Sequence, residues 1–129
     1  PPGLYNLDTT INVPAGVLLL GSGIGRNPLI APFEGTVLQY LGDGWAVNFS
    51  RHSAGMRDMS IRDAFGNGSG GISIAATDEL VESLSFNRVI IYGFTAGTGL
   101  YLFADNDKGI AYASFYELRI RHCKIGNHY

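Results

Sequence analysis

Three residues that could bind a ligand recur at nearly equal spacing: Arg62, Tyr92 and Arg121, with His122 directly after the last. Arg62, Tyr92 and Arg121 each follow an isoleucine by one residue, so alternation along a strand would turn them away from those isoleucines. A tyrosine between guanidiniums can make cation–π contacts, and a guanidinium can hold a carboxylate by paired hydrogen bonds. The pattern predicts either a cationic ledge for an acidic sugar or subunit, or simply an exposed stacking ladder.

A second set of residues, Asp58, Arg88 and Glu117, alternates in charge at the same spacing. As a functional site it would be a pair of carboxylates holding Ca²⁺ beside an arginine base. As a structural feature it would be a ladder of exposed cross-strand ion pairs, each contributing about 0.2–1 kcal/mol. An arginine between two carboxylates is expected to be neutralised by them, so the sequence favours the structural interpretation.

The remaining candidates for chemistry are weaker. The ADNDKG loop carries Asp105, Asp107 and Lys108 but lacks the later glutamate of a calcium loop, so we expect a solvated turn. His52, His122 and His128 are too scattered for metal-ligand spacing. With one cysteine, Cys123, no intrachain disulfide can form, and a small buried hydrophobe is expected there. We therefore predict no catalytic residue, no metal site and no cofactor.

Two tripeptides match the N-glycosylation pattern. One begins at Asn48 and the other at Asn67. Asn67 lies in a glycine-rich stretch that is expected to form a loop, which makes it the better acceptor of the two.

The elements that would position these residues are strands of a repeat. The hexads Met56–Ile61, Phe86–Ile91 and Phe115–Ile120 share one order of apolar and variable positions. A second strand series, which includes Val47, Ile72 and Leu100, advances with them. Two strand series with a period of about 25–30 residues predict a solenoid, in which each coil buries its apolar face against the next.

The predicted fold is all-β, a right-handed parallel β-helix of about four coils and a single domain. We divide the chain into opening turns at 1–21, a long loop at 22–35 and repeating coils at 36–129. The hexads predict three inward columns: Met56, Phe86 and Phe115; Met59, Val89 and Leu118; Ile61, Ile91 and Ile120. Residues 77–85 could be one helical turn or a protruding loop, and no longer helix is predicted.

Composition excludes several classes of protein. Of 129 residues, 46% are apolar and 16% charged, which argues against disorder. A net charge of −2 without charge runs gives no reason to expect nucleic acid binding. No apolar run approaches the ~18 residues of a membrane span. Neither end resembles the polar cap of a solenoid, so we expect that the missing remainder of a longer chain, or other subunits of an assembly, cover the ends.

Two stretches carry a resemblance to a known family. PPGLYNLDTTINVPAGVLLLGSGIG, residues 1–25, resembles the opening segment of the pectate-lyase-like right-handed β-helix superfamily. GMRDMSIRDAFGNGSGGISI, residues 55–74, resembles its repeating coil. The superfamily includes polysaccharide lyases, glycoside hydrolases, and tailspikes and other virion appendages.

The resemblance implies a structural and binding module of a virion appendage, tailspike-like protein or secreted surface protein. Its partners would be glycans or neighbouring subunits, and its location extracellular or on a virion surface. The alternative is a polysaccharide lyase or glycoside hydrolase that acts on acidic polysaccharide. The galacturonase-type acidic motifs NTD, DD and GHG are absent, which favours the first interpretation.

Overall fold

The structure is a computed structural model that describes residues 1–25, 31 and 33–128. The described residues form strands and turns, without an α-helix. The strands are β1 Gly3–Leu7, β2 Ile11–Val13, β3 Leu18–Leu20, β4 Thr36–Tyr40, β5 Trp45–Phe49, β6 Gly55–Asp63, β7 Gly70–Ala76, β8 Val81–Glu82, β9 Ser85–Tyr92, β10 Thr98–Ala104, β11 Ile110–Ala111, β12 Ser114–Arg121 and β13 Ile125–His128.

These strands stack in parallel into three sheets that wind around one core. Sheet A has the order β1-β4-β6-β9-β12, with β3 also paired to β6. Sheet B has the order β13-β10-β7-β5-β2, and the small sheet C pairs β11 with β8. The result is a parallel β-solenoid of about four turns, which confirms the predicted fold class. Within residues 77–85 there is no helical turn: residues 77–80 form the predicted loop, and Val81–Glu82 form β8 of sheet C, which was not predicted.

The hexads stack in the register that the sequence predicts. Ile91 pairs with Ile61 on one side and with Ile120 on the other, and the other two inward columns are likewise confirmed. The coil interior is closed at its centre, where Ile91 is completely buried. At the last coil it opens, so that Phe115 stacks on Phe86 at 5.1 Å between ring centroids yet remains 39% exposed.

A left-handed residue inside each hexad explains its three-residue apolar step. Asp58, Arg88 and Glu117 have φ angles of 57°, 52° and 53°. Such a residue bends the strand at a corner, so the apolar residue two positions before it and the one directly after it both face the interior. The corner before each hexad uses the same device at equivalent positions, with positive φ at Gly16, Ser53, Ser83 and Tyr112.

The long loop leaves and returns at the Asp58 corner. β3 pairs with the first part of β6, before Asp58, and β4 pairs with the part after it. β3 and β4 are therefore the two halves of one interrupted hexad. At the base of the loop, Gly21 N donates to Arg57 O and Gly23 N donates to Asp58 O. Residues 26–30 and 32 of the predicted loop lie outside the described residues.

Candidate functional site

The predicted ligand column lies on the outer side of sheet A. Tyr92 pairs in register with Arg62 on one side and with Arg121 on the other. The structure extends the column by two residues, since Arg62 pairs with Gln39 and Gln39 pairs with Asn6. We call the five residues the sheet A column. It crosses the successive coils and carries amides at one end and cations at the other.

The amide end of the sheet A column is a chain of hydrogen bonds. Gln39 Nε2 donates to Asn6 Oδ1 at 3.0 Å, and Arg62 Nε donates to Gln39 Oε1 at 2.8 Å. The Arg62 guanidinium also lies 5.5 Å from the centre of the Phe33 ring, within cation–π range. Burial lowers the pKa of Arg62, although an arginine remains charged at physiological pH. Arg62 is thus a positioned cation.

The cationic end of the sheet A column is more open. The Tyr92 ring lies 4.9 Å from the His122 ring between centroids, with the planes tilted by 51°. Arg121 and His122 are exposed and Tyr92 is half-buried. The four predicted residues, Arg62, Tyr92, Arg121 and His122, are therefore brought together on one surface. This surface offers cations and an aromatic ring to an anionic ligand.

The charge-alternating set lies at the corner of sheet A. Asp58 is paired with Arg88 and accepts a hydrogen bond from Arg57 Nε at 3.0 Å. A cavity of about 370 Å³ opens beside this pair, lined by the loop base from Gly21 to Ile24. The predicted ion pairing is confirmed for Asp58 and Arg88, but Asp58 is buried instead of exposed. Two guanidiniums already bind the Asp58 carboxylate, so the geometry favours a structural ion pair over a role for Asp58 as a catalytic acid or base.

Sequence reasoning missed a row of aromatic rings on the outer side of sheet B. Trp45 stacks with Tyr101 at 5.6 Å between ring centroids, and Tyr101 stacks with Phe103 at 6.1 Å. The planes within each pair are within 22° and 11° of parallel. The Trp45 ring packs over Gly70, where any Cβ would collide with it. The alternation of Tyr101 and Phe103 in a strand was the available signal.

An amide pair lies on the same face of sheet B. Asn48 Nδ2 donates to Asn12 Oδ1 at 3.1 Å. Asn12, Asn48, Ser73 and Tyr101 follow one another in register across four strands. We call Trp45, Tyr101 and Phe103, together with this amide pair, the sheet B strip.

The structure places the remaining sequence candidates apart from these surfaces. Asn67 is exposed in the turn after β6, as a glycosylation acceptor must be, whereas Asn48 belongs to the amide pair. Asp107 forms an ion pair with Lys108 at 3.0 Å in the polar turn. Cys123 packs against the core, and burial raises the pKa of its thiol. Among the described residues, no three His, Cys, Asp or Glu side chains come together as a metal site.

Comparison with known proteins gives no relative. No protein-family model, no curated protein and no solved structure matches this chain. Within residues 1–25, 31 and 33–128, no helix is long and apolar enough to cross a membrane.

Proposed function

We propose that this solenoid is a binding and structural module of the pectate-lyase-like β-helix superfamily, belonging to a virion appendage, tailspike-like protein or secreted surface protein. Two features support the family. The opening segment forms the first strands of the solenoid, and the stretch from 55 to 74 forms a repeating coil. In this proposal the module works outside the cell or on a virion surface, and it contacts glycans or neighbouring subunits.

The sheet A column carries the proposal. Arg121 and His122 are exposed, and Tyr92 lies between Arg62 and Arg121 in register. A guanidinium holds a carboxylate by two parallel hydrogen bonds, and a tyrosine ring offers an apolar face to a sugar. The column therefore suits a glycan that bears carboxylates. An acidic patch on a neighbouring subunit would offer the same chemistry.

The first prediction is that the double variant Tyr92→Ala, Arg121→Ala binds acidic oligosaccharides roughly tenfold more weakly or worse. Both side chains lie on the outer face, so the melting temperature should change little. The measurement is binding of oligogalacturonates by glycan array and calorimetry. Binding by the unchanged protein should weaken as salt increases, because the contact is electrostatic.

A matched control removes one ring and one cation elsewhere. Tyr116→Ala with Lys124→Ala alters exposed side chains outside the column and should leave binding unchanged. Equal binding by the Tyr92, Arg121 variant and the unchanged protein would rule out the column as the contact surface.

The catalytic alternative predicts turnover of an acidic polysaccharide, whereas the binding proposal predicts none. A lyase or hydrolase needs an acid or base free to exchange protons, and Asp58 is held by Arg57 and Arg88 instead. Incubation with polygalacturonate should therefore yield neither unsaturated ends nor new reducing ends. Turnover that survives repurification and disappears with Asp58→Asn would overturn the assignment as a binding module.

A further inference from the structure

We propose that the outer face of sheet B is a second binding site, and that its ligand is a neutral oligosaccharide. The inference goes beyond the sheet A column, since it concerns a different face and an uncharged ligand. It rests on three observations: an ordered row of rings, an amide pair beside it, and the lack of charge on the outward side chains of β2, β5, β7 and β10.

The rings form one continuous row. Trp45 and Tyr101 are half-buried, Phe103 is 38% exposed, and the neighbouring planes are nearly parallel. Gly70 provides the space in which the Trp45 ring rests, so the ring is fixed by the backbone below it. The row crosses three coils, from β5 over β7 to β10. Its shape matches an extended chain ligand better than a single small molecule.

The polar groups beside the rings suit hydroxyl groups. In the amide pair, Asn48 Nδ2 donates to Asn12 Oδ1. Asn12 therefore still has a donor, its Nδ2 group, and Asn48 an acceptor, its Oδ1 atom. A sugar hydroxyl both donates and accepts, so it can bond to either amide. The C–H groups on a sugar face carry partial positive charge and pack against the negative face of an aromatic ring, and Tyr101, which stacks on both Trp45 and Phe103, holds those two rings in place for such packing.

Charge distinguishes this ligand from that of sheet A. The outward side chains of the four strands are all uncharged: Asn12, Trp45, Asn48, Ser73, Ala75, Thr98, Tyr101 and Phe103. An acidic sugar would find no cation on them. A protein partner is also a poorer match, because cores of protein interfaces are enriched in Met and Arg as well as aromatic residues. Of the larger exposed aliphatic side chains, Val17, Leu18, Leu20 and Leu80 lie elsewhere, and only Ile125 of these described residues lies on sheet B, on β13 in register with Thr98.

The second prediction uses Trp45, the only tryptophan of the chain, as a reporter. The probes are cellohexaose, xylohexaose, mannohexaose and maltohexaose, with hexagalacturonate for comparison. At least one neutral probe should change the emission of Trp45 saturably and raise the melting temperature. The affinity should stay the same in high salt, because no charge is involved.

Variants locate the ligand. Tyr101→Ala and Phe103→Ala should each weaken the neutral sugar roughly tenfold, whereas Tyr116→Ala, an exposed tyrosine of sheet A, should have no effect. Tyr92→Ala with Arg121→Ala should leave neutral binding intact while acidic binding falls. The two sets of variants therefore distinguish an error in the proposed acidic site on sheet A from an error in the proposed neutral site on sheet B.

Three outcomes would overturn the proposal. The first is that no neutral probe changes either the Trp45 emission or the melting temperature at millimolar concentration. The second is that the Trp45 emission changes with protein concentration alone, which would mean that a second copy of the chain covers the sheet B strip. The third is that binding of the neutral sugar is lost in the variant Tyr92→Ala, Arg121→Ala but kept in Tyr101→Ala, which would place the sugar on sheet A.

Discussion

At the scale of single residues, the corner positions are the least expected feature. The left-handed region is unfavourable for side chains other than glycine, asparagine and aspartate. Arg88 and Glu117 nevertheless adopt it, at the positions that match Asp58 in the coil before them. The bend holds two apolar residues inward, and the ion pair of Asp58 with Arg88 sits on its outside. Backbone strain at the corner is therefore offset by core packing and, for two of the residues, by charge pairing.

The third prediction tests this strain at Glu117, which is exposed and has a φ of 53°. Glu117→Asn should raise the free energy of unfolding by about 0.5–1 kcal/mol, since asparagine tolerates the left-handed region. Glu117→Val should lower it, because a β-branched residue is strained there. Urea unfolding measures both. Arg119→Asn, at an ordinary position of the same strand, is the control and should be neutral or destabilising.

At the scale of the element, the sequence was sufficient wherever the repeat was uninterrupted. The hexads of β6, β9 and β12 have nearly equal offsets, so their columns could be aligned without coordinates. β3 and β4 form the same element, but the inserted loop separates their halves. For that reason Asn6 and Gln39 could not be assigned to the sheet A column in advance.

Other elements gave no periodic signal at all. β8 and β11 are two residues each, too short for any alternation to be visible. The contact of Trp45 with Tyr101 skips one coil and runs diagonally across the sheet, so no fixed sequence offset reports it. The sheet B strip was therefore missed, whereas Arg62, Tyr92 and Arg121 could be brought together from their spacing alone.

The fourth prediction concerns the inward column of isoleucines. Ile91 is completely buried between Ile61 and Ile120, so Ile91→Ala should destabilise the fold by about 3 kcal/mol. Ile91→Asp should prevent folding, because an unpaired charge would enter the stack. Ile120→Ala is the matched control: Ile120 is only half-buried in the last coil, so the loss should be clearly smaller. Equal losses of unfolding free energy for Ile91→Ala and Ile120→Ala, measured with urea, would contradict the difference in burial between the two isoleucines.

At the scale of the whole molecule, a cavity lined mostly by apolar side chains opens at each end of the solenoid. A cavity of about 280 Å³ opens at the first coil, lined by residues such as Ile11, Leu19 and Leu38. A cavity of about 400 Å³ opens at the last coil, where Phe115 and Leu118 line it. Strand edges with unpaired backbone groups surround such ends, and they invite pairing with another chain.

The fifth prediction is that the polypeptide of residues 1–129 self-associates when purified. Its ends should come together and bury the two cavities, so sedimentation at micromolar concentration should show species larger than a monomer. Phe115→Glu, which places a charge at one end, should shift the distribution toward the monomer. Tyr116→Glu, a neighbouring exposed position, is the control. A compact, well-folded monomer of the unchanged chain would contradict the prediction.

The corner at Asp58 also bears on how such a chain can diversify. The loop leaves the coil at Gly21 and returns at Gly35, and both ends lie beside the same bend. A change in the length of the loop therefore does not alter how the neighbouring coils stack. The matching bends at Arg88 and Glu117 have the same geometry and carry no added segment. They are ready acceptor positions for grafted peptides. A row of such grafts along one ridge would turn the solenoid into a scaffold whose displayed loops vary while its frame is inherited unchanged.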